Sequence, residues 1–429
     1  MSYLLRGFGE FEHSLRQSLR EIKERVKSQE EKFERDRPLF KDLITPFTPL
    51  PAGHVFEKDF LVGAVDGSGV APLLQYEDVY IHLVTASFAL YSTNTRGGSP
   101  IKSIQITDMK PLPEGGKLTE VFWIPVDEGH EKERFLDFAR KVYNIADVNE
   151  VLYAFFSEVE GRPIHSIEEI RLNPKFRRVM GVEDLVIFPP SSDVHRVQDH
   201  IRWMVEAALA KRALDSRLNL KYLFLDGALT LLMREGQNYP ILLPDYMIRD
   251  VCARARRKGT VVAAVSKSHT VPCWGLIADL AKSLYGVGTH WFCRLPGEDD
   301  PDGRKLRILE GRMQIPPTHG VTYLFRFSDE MPVLRIDFDR FWWEENIHSQ
   351  NKKEQKEREI KLFQEIDFLS HDARWYGYPC PLSFAHLLST IDWESRQFLV
   401  ERAITIAKEE GFEEEKIVPF RSRIEIWRW

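Results

Sequence analysis

Three short runs of apolar or small residues stand out from a chain that otherwise mixes polar and apolar positions: Phe60–Val65, Leu220–Leu225 with Lys221 as its one break, and Val261–Val265. Runs of this length, bounded by Gly and Asp, predict buried strands. Each hands a polar group to a small-residue segment. The first ends in Asp66-Gly67-Ser68-Gly69, the second in Asp226-Gly227-Ala228, and the third in Ser266-Lys267-Ser268. Asp66 and Asp226 are thus expected at strand tips, each followed by a turn.

Around these runs, Val79–Leu90 predicts one or two strands antiparallel to the first, and Ile101–Thr107 another strand. Val321–Phe327 and Val333–Phe338 predict a hairpin. Helical spacing covers Glu131–Val142, Val148–Glu158, Ser191–Leu218, Asp245–Arg257 and the charged region Trp342–Lys361. Within Ser191–Leu218 the apolar stripe Val197, Ile201, Met204 and Ala208 is joined by Trp203, Ala207, Ala210 and Ala213. A helix apolar nearly all round is buried. Glu206 lies opposite the main stripe, either a solvated face residue or part of a site. Because a helix from Asp245 to Arg257 separates the second and third runs, those two strands are expected to be parallel neighbours.

At the N-terminus, Leu15, Leu19, Ile22, Val26 and Phe33 form a narrow apolar seam on a charged helix from Glu10 to Arg37. Such a seam packs on its own domain or on a partner chain. A connector with Pro46, Pro49 and Pro51 follows. This gives an N-terminal helical arm at 1–45 and a main body at 46–429, with blocks near 95–190 and 340–372 read as insertions.

Composition narrows this picture only slightly. The chain has 429 residues with 59 basic and 65 acidic side chains, a formal net charge of −6. Any nucleic-acid site must then be a local patch. The four cysteines show no CxxC spacing, which argues against a zinc ribbon or a disulfide scaffold. No signal peptide and no apolar span of membrane length is visible, so a cytoplasmic protein is expected.

The candidate chemistry is oxygen-rich. Asp66, Glu206 and Asp226, with His386 as an imidazole, suit Mg²⁺ or Mn²⁺ better than zinc. Two such ions would serve phosphodiester hydrolysis, with Asp66 bridging them and Lys267 neutralising phosphate charge. Trp375, Tyr376 and Tyr378 are candidates to stack on unpaired bases, against the alternative that they are core. Arg254, Arg256 and Arg257 either track phosphates or end a solvated helix.

Val65-Asp66-Gly67-Ser68, Leu225-Asp226-Gly227, Val265-Ser266-Lys267 and above all Tyr378-Pro379-Cys380-Pro381-Leu382-Ser383-Phe384-Ala385-His386 resemble the NurA nuclease family, in matching order from residue 60 to about 395. The resemblance implies an α/β RNase H-like fold, a mixed sheet flanked by helices, with Mn²⁺-dependent cutting of single-stranded DNA and 5′-to-3′ exonuclease action. It also implies a homodimer working with a hexameric HerA-type ATPase on DNA ends. Asp66, Asp226 and His386 stand in matching motifs. Glu206 matches by its place on the helix before the second acidic strand, and Lys267 by its strand end. Two other readings stay open: an inactive scaffold of the same fold that binds DNA or an ATPase, and a nuclease of the same fold acting in defence or on RNA.

Overall fold

The computed structural model describes residues 2–94, 101–126, 129, 131–172, 188–229, 231–234, 243–297, 306–310, 312–315, 320–371 and 377–419. Its centre is an eleven-stranded mixed sheet. In chain order the strands are β1 (Ile44–Phe47), β2 (Leu61–Tyr76), β3 (Val79–Ser92), β4 (Lys102–Ile104), β5 (Lys117–Pro125), β6 (Leu220–Asp226), β7 (Leu231–Arg234), β8 (Val261–Ser266), β9 (His290–Arg294), β10 (Arg312–Ile315), β11 (Gly320–Arg326), β12 (Leu334–Asp339) and β13 (Ile417–Pro419). β7 and β10 form a separate two-stranded ribbon. The helices are α1 (Ser2–Leu43), α2 (Glu131–Tyr143), α3 (Val148–Glu160), α4 (Ile167–Leu172), α5 (Val194–Asp215), α6 (Leu243–Arg257), α7 (Trp274–Tyr285), α8 (Arg340–Asn346), α9 (Lys352–Phe368), α10 (Cys380–Ser389) and α11 (Trp393–Glu409).

The strands β5, β3, β2, β6 and β8 lie side by side in that order. β3 is antiparallel to both β5 and β2, and β6 and β8 run parallel to β2. This order and these directions are those of an RNase H-like sheet. The chain extends it past β8 with β12, β11, β9 and β1, each antiparallel to its neighbour. The parallel β6–β8 pair and the β11–β12 hairpin follow the apolar pattern. The connector read at Pro46 is in part the edge strand β1, a position where a missing ladder N–H is tolerated.

Side-chain alternation divides the core in two. Val65, Leu223, Leu225, Val262 and Ala264 face a cluster shared with α5 and α6. Val62, Ala64, Tyr222, Phe224, Ala263 and Val265 face a second cluster, shared with α9 and α10. Helix α5 is covered by the sheet on one side and by α2 and α6 on the other. That position explains why its apolar residues run almost round the helix. Close approaches to the sheet use glycine. A Cβ on Gly63 would meet the Phe88 ring at 2.6 Å, and one on Gly67 would meet Glu206 Oε1 at 2.4 Å.

Two expectations are corrected here. Asp66 is not at a strand tip, and Gly67-Ser68-Gly69 is not a turn: β2 continues to Tyr76, and the hairpin to β3 turns at Glu77–Asp78. Glycine and serine persist in the extended chain because β3 pairs them throughout. The charged region after β12 forms two helices, α8 and α9. The four cysteines form no disulfide, and no described helix is long and apolar enough to cross a membrane.

Candidate active site

The site forms where β6 stops and β2 does not. β2 and β6 pair as far as Val65 and Leu225; beyond that point β2 keeps only β3 as its partner along this stretch. Asp66 and Asp226 are the next residues on the two strands. By alternation both point to the α10 side of the sheet, with the same parity as Ala64 and Phe224. Asp226 is therefore at a strand end, as expected, whereas Asp66 sits in mid-strand beside it.

Asp66 is buried, 1% exposed. Its Oδ1 accepts the Gly67 N–H at 2.7 Å, so it does bond its own backbone. Its Oδ2 accepts from His386 Nδ1–H at 2.7 Å, the tautomer that a carboxylate partner selects. Burial and the nearby charge of Asp226 push the Asp66 carboxyl up, opposed by His386 and the Gly67 N–H. His386 comes from α10, which Pro381 starts in its first turn and which packs across β2 and β3. The helix buries Leu382 and Ala385 and leaves the His386 side chain 49% exposed. One face of the imidazole site is fixed by Asp66 and the other is open to solvent.

Tyr378 lies just before α10 and is buried. Its hydroxyl donates to Asp226 Oδ1 at 3.2 Å. Burial and the charges of Asp226 and Asp66 push the phenol well above its ordinary value, so it stays a donor. Lys267, which follows β8, holds its Nζ 4.5 Å over the Tyr378 ring. Tyr378, expected as a base-stacking residue, is thus engaged by the carboxylate and the lysine. Trp375 and Tyr376 lie outside the described residues.

Glu206 arrives from the other face. α5 is fixed over β2 and β3, and the missing Cβ of Gly67 admits the Glu206 side chain. Nearby, Gln198 on the same helix donates to Leu83 O at 3.0 Å and accepts from buried His82 at 3.0 Å. Glu206 is buried rather than solvated and accepts from Arg202 at 2.8 Å. Burial, with the charges of Asp66 and Asp226, pushes its carboxyl up against the pull of Arg202. Arg202 lacked any signal beyond its i, i+4 spacing to Glu206.

The basic residues near the end of α6 are not a phosphate track. Arg256 is ion-paired with Glu158 and Asp339, and Arg254 with Asp250 at 2.7 Å and Asp215 at 3.4 Å. Arg257 is exposed.

Donor chemistry and the Gly67 cradle fit a hard divalent cation: the charge of Asp226 raises both buried Asp66 and buried Glu206, and that of Asp66 adds to the rise at Glu206. Among the described residues, however, no three His, Cys, Asp or Glu side chains already stand at the spacing of a closed ligand set. Glu206 is turned to Arg202 and Asp66 to His386.

No family model and no curated protein matches the chain in sequence. Among solved structures it is similar to the NurA nuclease from Sulfolobus solfataricus, 12% identical, with 92% of this chain and 98% of that chain covered and a TM-score of 0.40. It is similar to a second NurA structure at 12% identity, 91% and 97% coverage and a TM-score of 0.38. A NurA bound to dAMP and manganese overlaps at 11% identity, 92% and 97% coverage and a TM-score of 0.37.

Proposed function

We propose that the chain is a divalent-metal-dependent DNA nuclease of the NurA type. The observation that carries this reading is the grouping of Asp66, Asp226 and His386 where two parallel strands part, with Glu206 entering over Gly67. Asp66, Asp226 and Glu206 would hold Mn²⁺ or Mg²⁺, two ions in the fullest form of the reading, with His386 as a further ligand or a proton carrier. Bound ions would supply Lewis-acid activation of water and charge neutralisation at the scissile phosphate.

The protein groups have distinct parts. His386, held by Asp66 through Nδ1, presents Nε2 as the atom that takes or gives a proton. Tyr378 orients Asp226 through its hydroxyl. Lys267 offers positive charge to a phosphate from the neighbouring strand end. The substrate in this reading is single-stranded DNA or a DNA end, cut internally and from the 5′ side, with a HerA-type hexameric ATPase as partner in break processing. A homodimer is part of the same reading: the seam Leu15, Leu19, Ile22 and Val26 on α1 is exposed, and only from Phe33 onward does the helix join the core.

The test is degradation of 5′- and 3′-labelled single-stranded DNA with Mn²⁺, Mg²⁺ or chelator, comparing the native chain with Asp66→Ala and His386→Ala. Metal-dependent cutting that disappears in Asp66→Ala is expected. DNA binding without cutting under any metal, and with a HerA-type ATPase added, would establish a scaffold instead.

A further inference from the structure

Arg202 is the cation already inside the carboxylate cluster. Its Nη1 donates to Glu206 Oε1 at 2.8 Å, one helical turn away, and its Nη2 lies 3.5 Å from Asp199 Oδ1. This is not a surface pair: the Arg202 and Glu206 side chains are 20% and 8% exposed, while that of Asp199 is 57% exposed. The pair lies directly over Gly67, since a Cβ there would come within 3.0 Å of Arg202 Cγ and 2.9 Å of Glu206 Cγ. The charges of Glu206, Asp226 and Asp66 all favour the Arg202 cation. Three acids near one another repel unless a positive charge intervenes. The guanidinium engages the one acid that comes from the opposite face of the sheet, while His386 engages Asp66.

We infer that Arg202 is an internal stand-in for the divalent cation, so that an ion enters by displacing Arg202 from Glu206. This inference rests on the proposed metal-dependent reading of the site. It accounts for a donor set that is complete in chemistry while no three of its members stand at ligand spacing. Asp199, nearer solvent on the same helix, retains the displaced guanidinium, so the exchange needs a change of side-chain rotamers with α5 in place. Arg202 is in these terms a positioning residue, acting through Glu206.

The test is Mn²⁺ affinity of the full chain, followed by the electron paramagnetic resonance signal of the free ion, in native protein, Arg202→Met, Arg202→Lys and Glu206→Gln. Melting in chelator is measured alongside. Removing a competitor should strengthen binding: Arg202→Met is expected to bind Mn²⁺ about fivefold more tightly, the scale of one partly exposed ion pair, while melting at lower temperature in chelator. Glu206→Gln should weaken binding. A merely structural arginine would leave affinity unchanged or reduce it, and either result in Arg202→Met overturns the inference. If Arg202→Met does not fold, Arg202→Lys decides, because its ammonium cannot make the two-pronged contact and tighter binding is again required. Native protein that binds no Mn²⁺ would instead overturn the metal-dependent reading itself.

Discussion

Asp66 costs the fold stability where it is most useful to the site. Its carboxyl is pushed up by burial and by Asp226, so the folded chain holds that proton more tightly than the unfolded chain does. The sign follows: stability is fully present below the unfolded carboxylate range and is lost as pH rises through the raised value. Asp66→Asn is therefore expected to melt, in chelator, no lower than the native chain, while metal-dependent cutting falls by about a hundredfold or more. Gly67→Ala probes the same place differently. Its new Cβ meets the Cγ atoms of Glu206 and Arg202 as well as Glu206 Oε1, so the buried pair has to shift: activity should drop, together with about 1–3 kcal/mol of stability. Gly63→Ala meets the rigid Phe88 ring and should lose about 1–3 kcal/mol of stability, read from a urea midpoint. At this scale the identities Asp66, Asp226 and His386 were legible, because a carboxylate after an apolar run and a histidine after Tyr-Pro-x-Pro are local patterns. Arg202 was not, since its role depends on which side of the sheet α5 packs.

At the scale of elements, apolar periodicity was a good guide wherever burial set it. It located β6, β8, β11, β12, α2, α3 and α6 to within a few residues. It failed at β2, where Gly-Ser-Gly has the composition of a turn. An extended conformation costs those residues little once β3 supplies every pairing partner, and composition alone carries no information about a partner in another segment. The seam on α1 was legible as a seam but not in what covers it. Phe33 and Phe40 are buried beside α7, Asp36 accepts the Ile308 N–H at 2.9 Å, and Phe11 to Val26 remain exposed. Deleting residues 1–28 should thus leave the melting temperature nearly unchanged. If the exposed seam pairs two copies, light scattering will show the mass fall to one half; an unchanged dimer would remove α1 from the interface.

Across the whole molecule, buried histidines add a dependence on acid that is separate from the site. Burial lowers His82 to about 4 and His200 to about 3, and each has an unpartnered Nε2. Both are neutral in the fold and take up protons on unfolding below about 6.5. Their contribution is complete above that value and is lost as pH falls towards about 4 for His82 and about 3 for His200. Urea midpoints at pH 7 and pH 5 should differ accordingly, and the difference should shrink in His200→Leu. The proposed site itself straddles the sheet. Asp66, Asp226 and His386 belong to the α10 layer and Glu206 to the α5 layer, where it packs over Gly67, the residue after Asp66. Alignment of the acids therefore depends on the registry of two layers that share no side-chain core. A slip of about an ångström between them is enough to lower a rate by about a hundredfold. On gentle heating, or under pressure, cutting should fade while circular dichroism still reports an intact fold, so that inactivation measures sliding between layers before it measures unfolding.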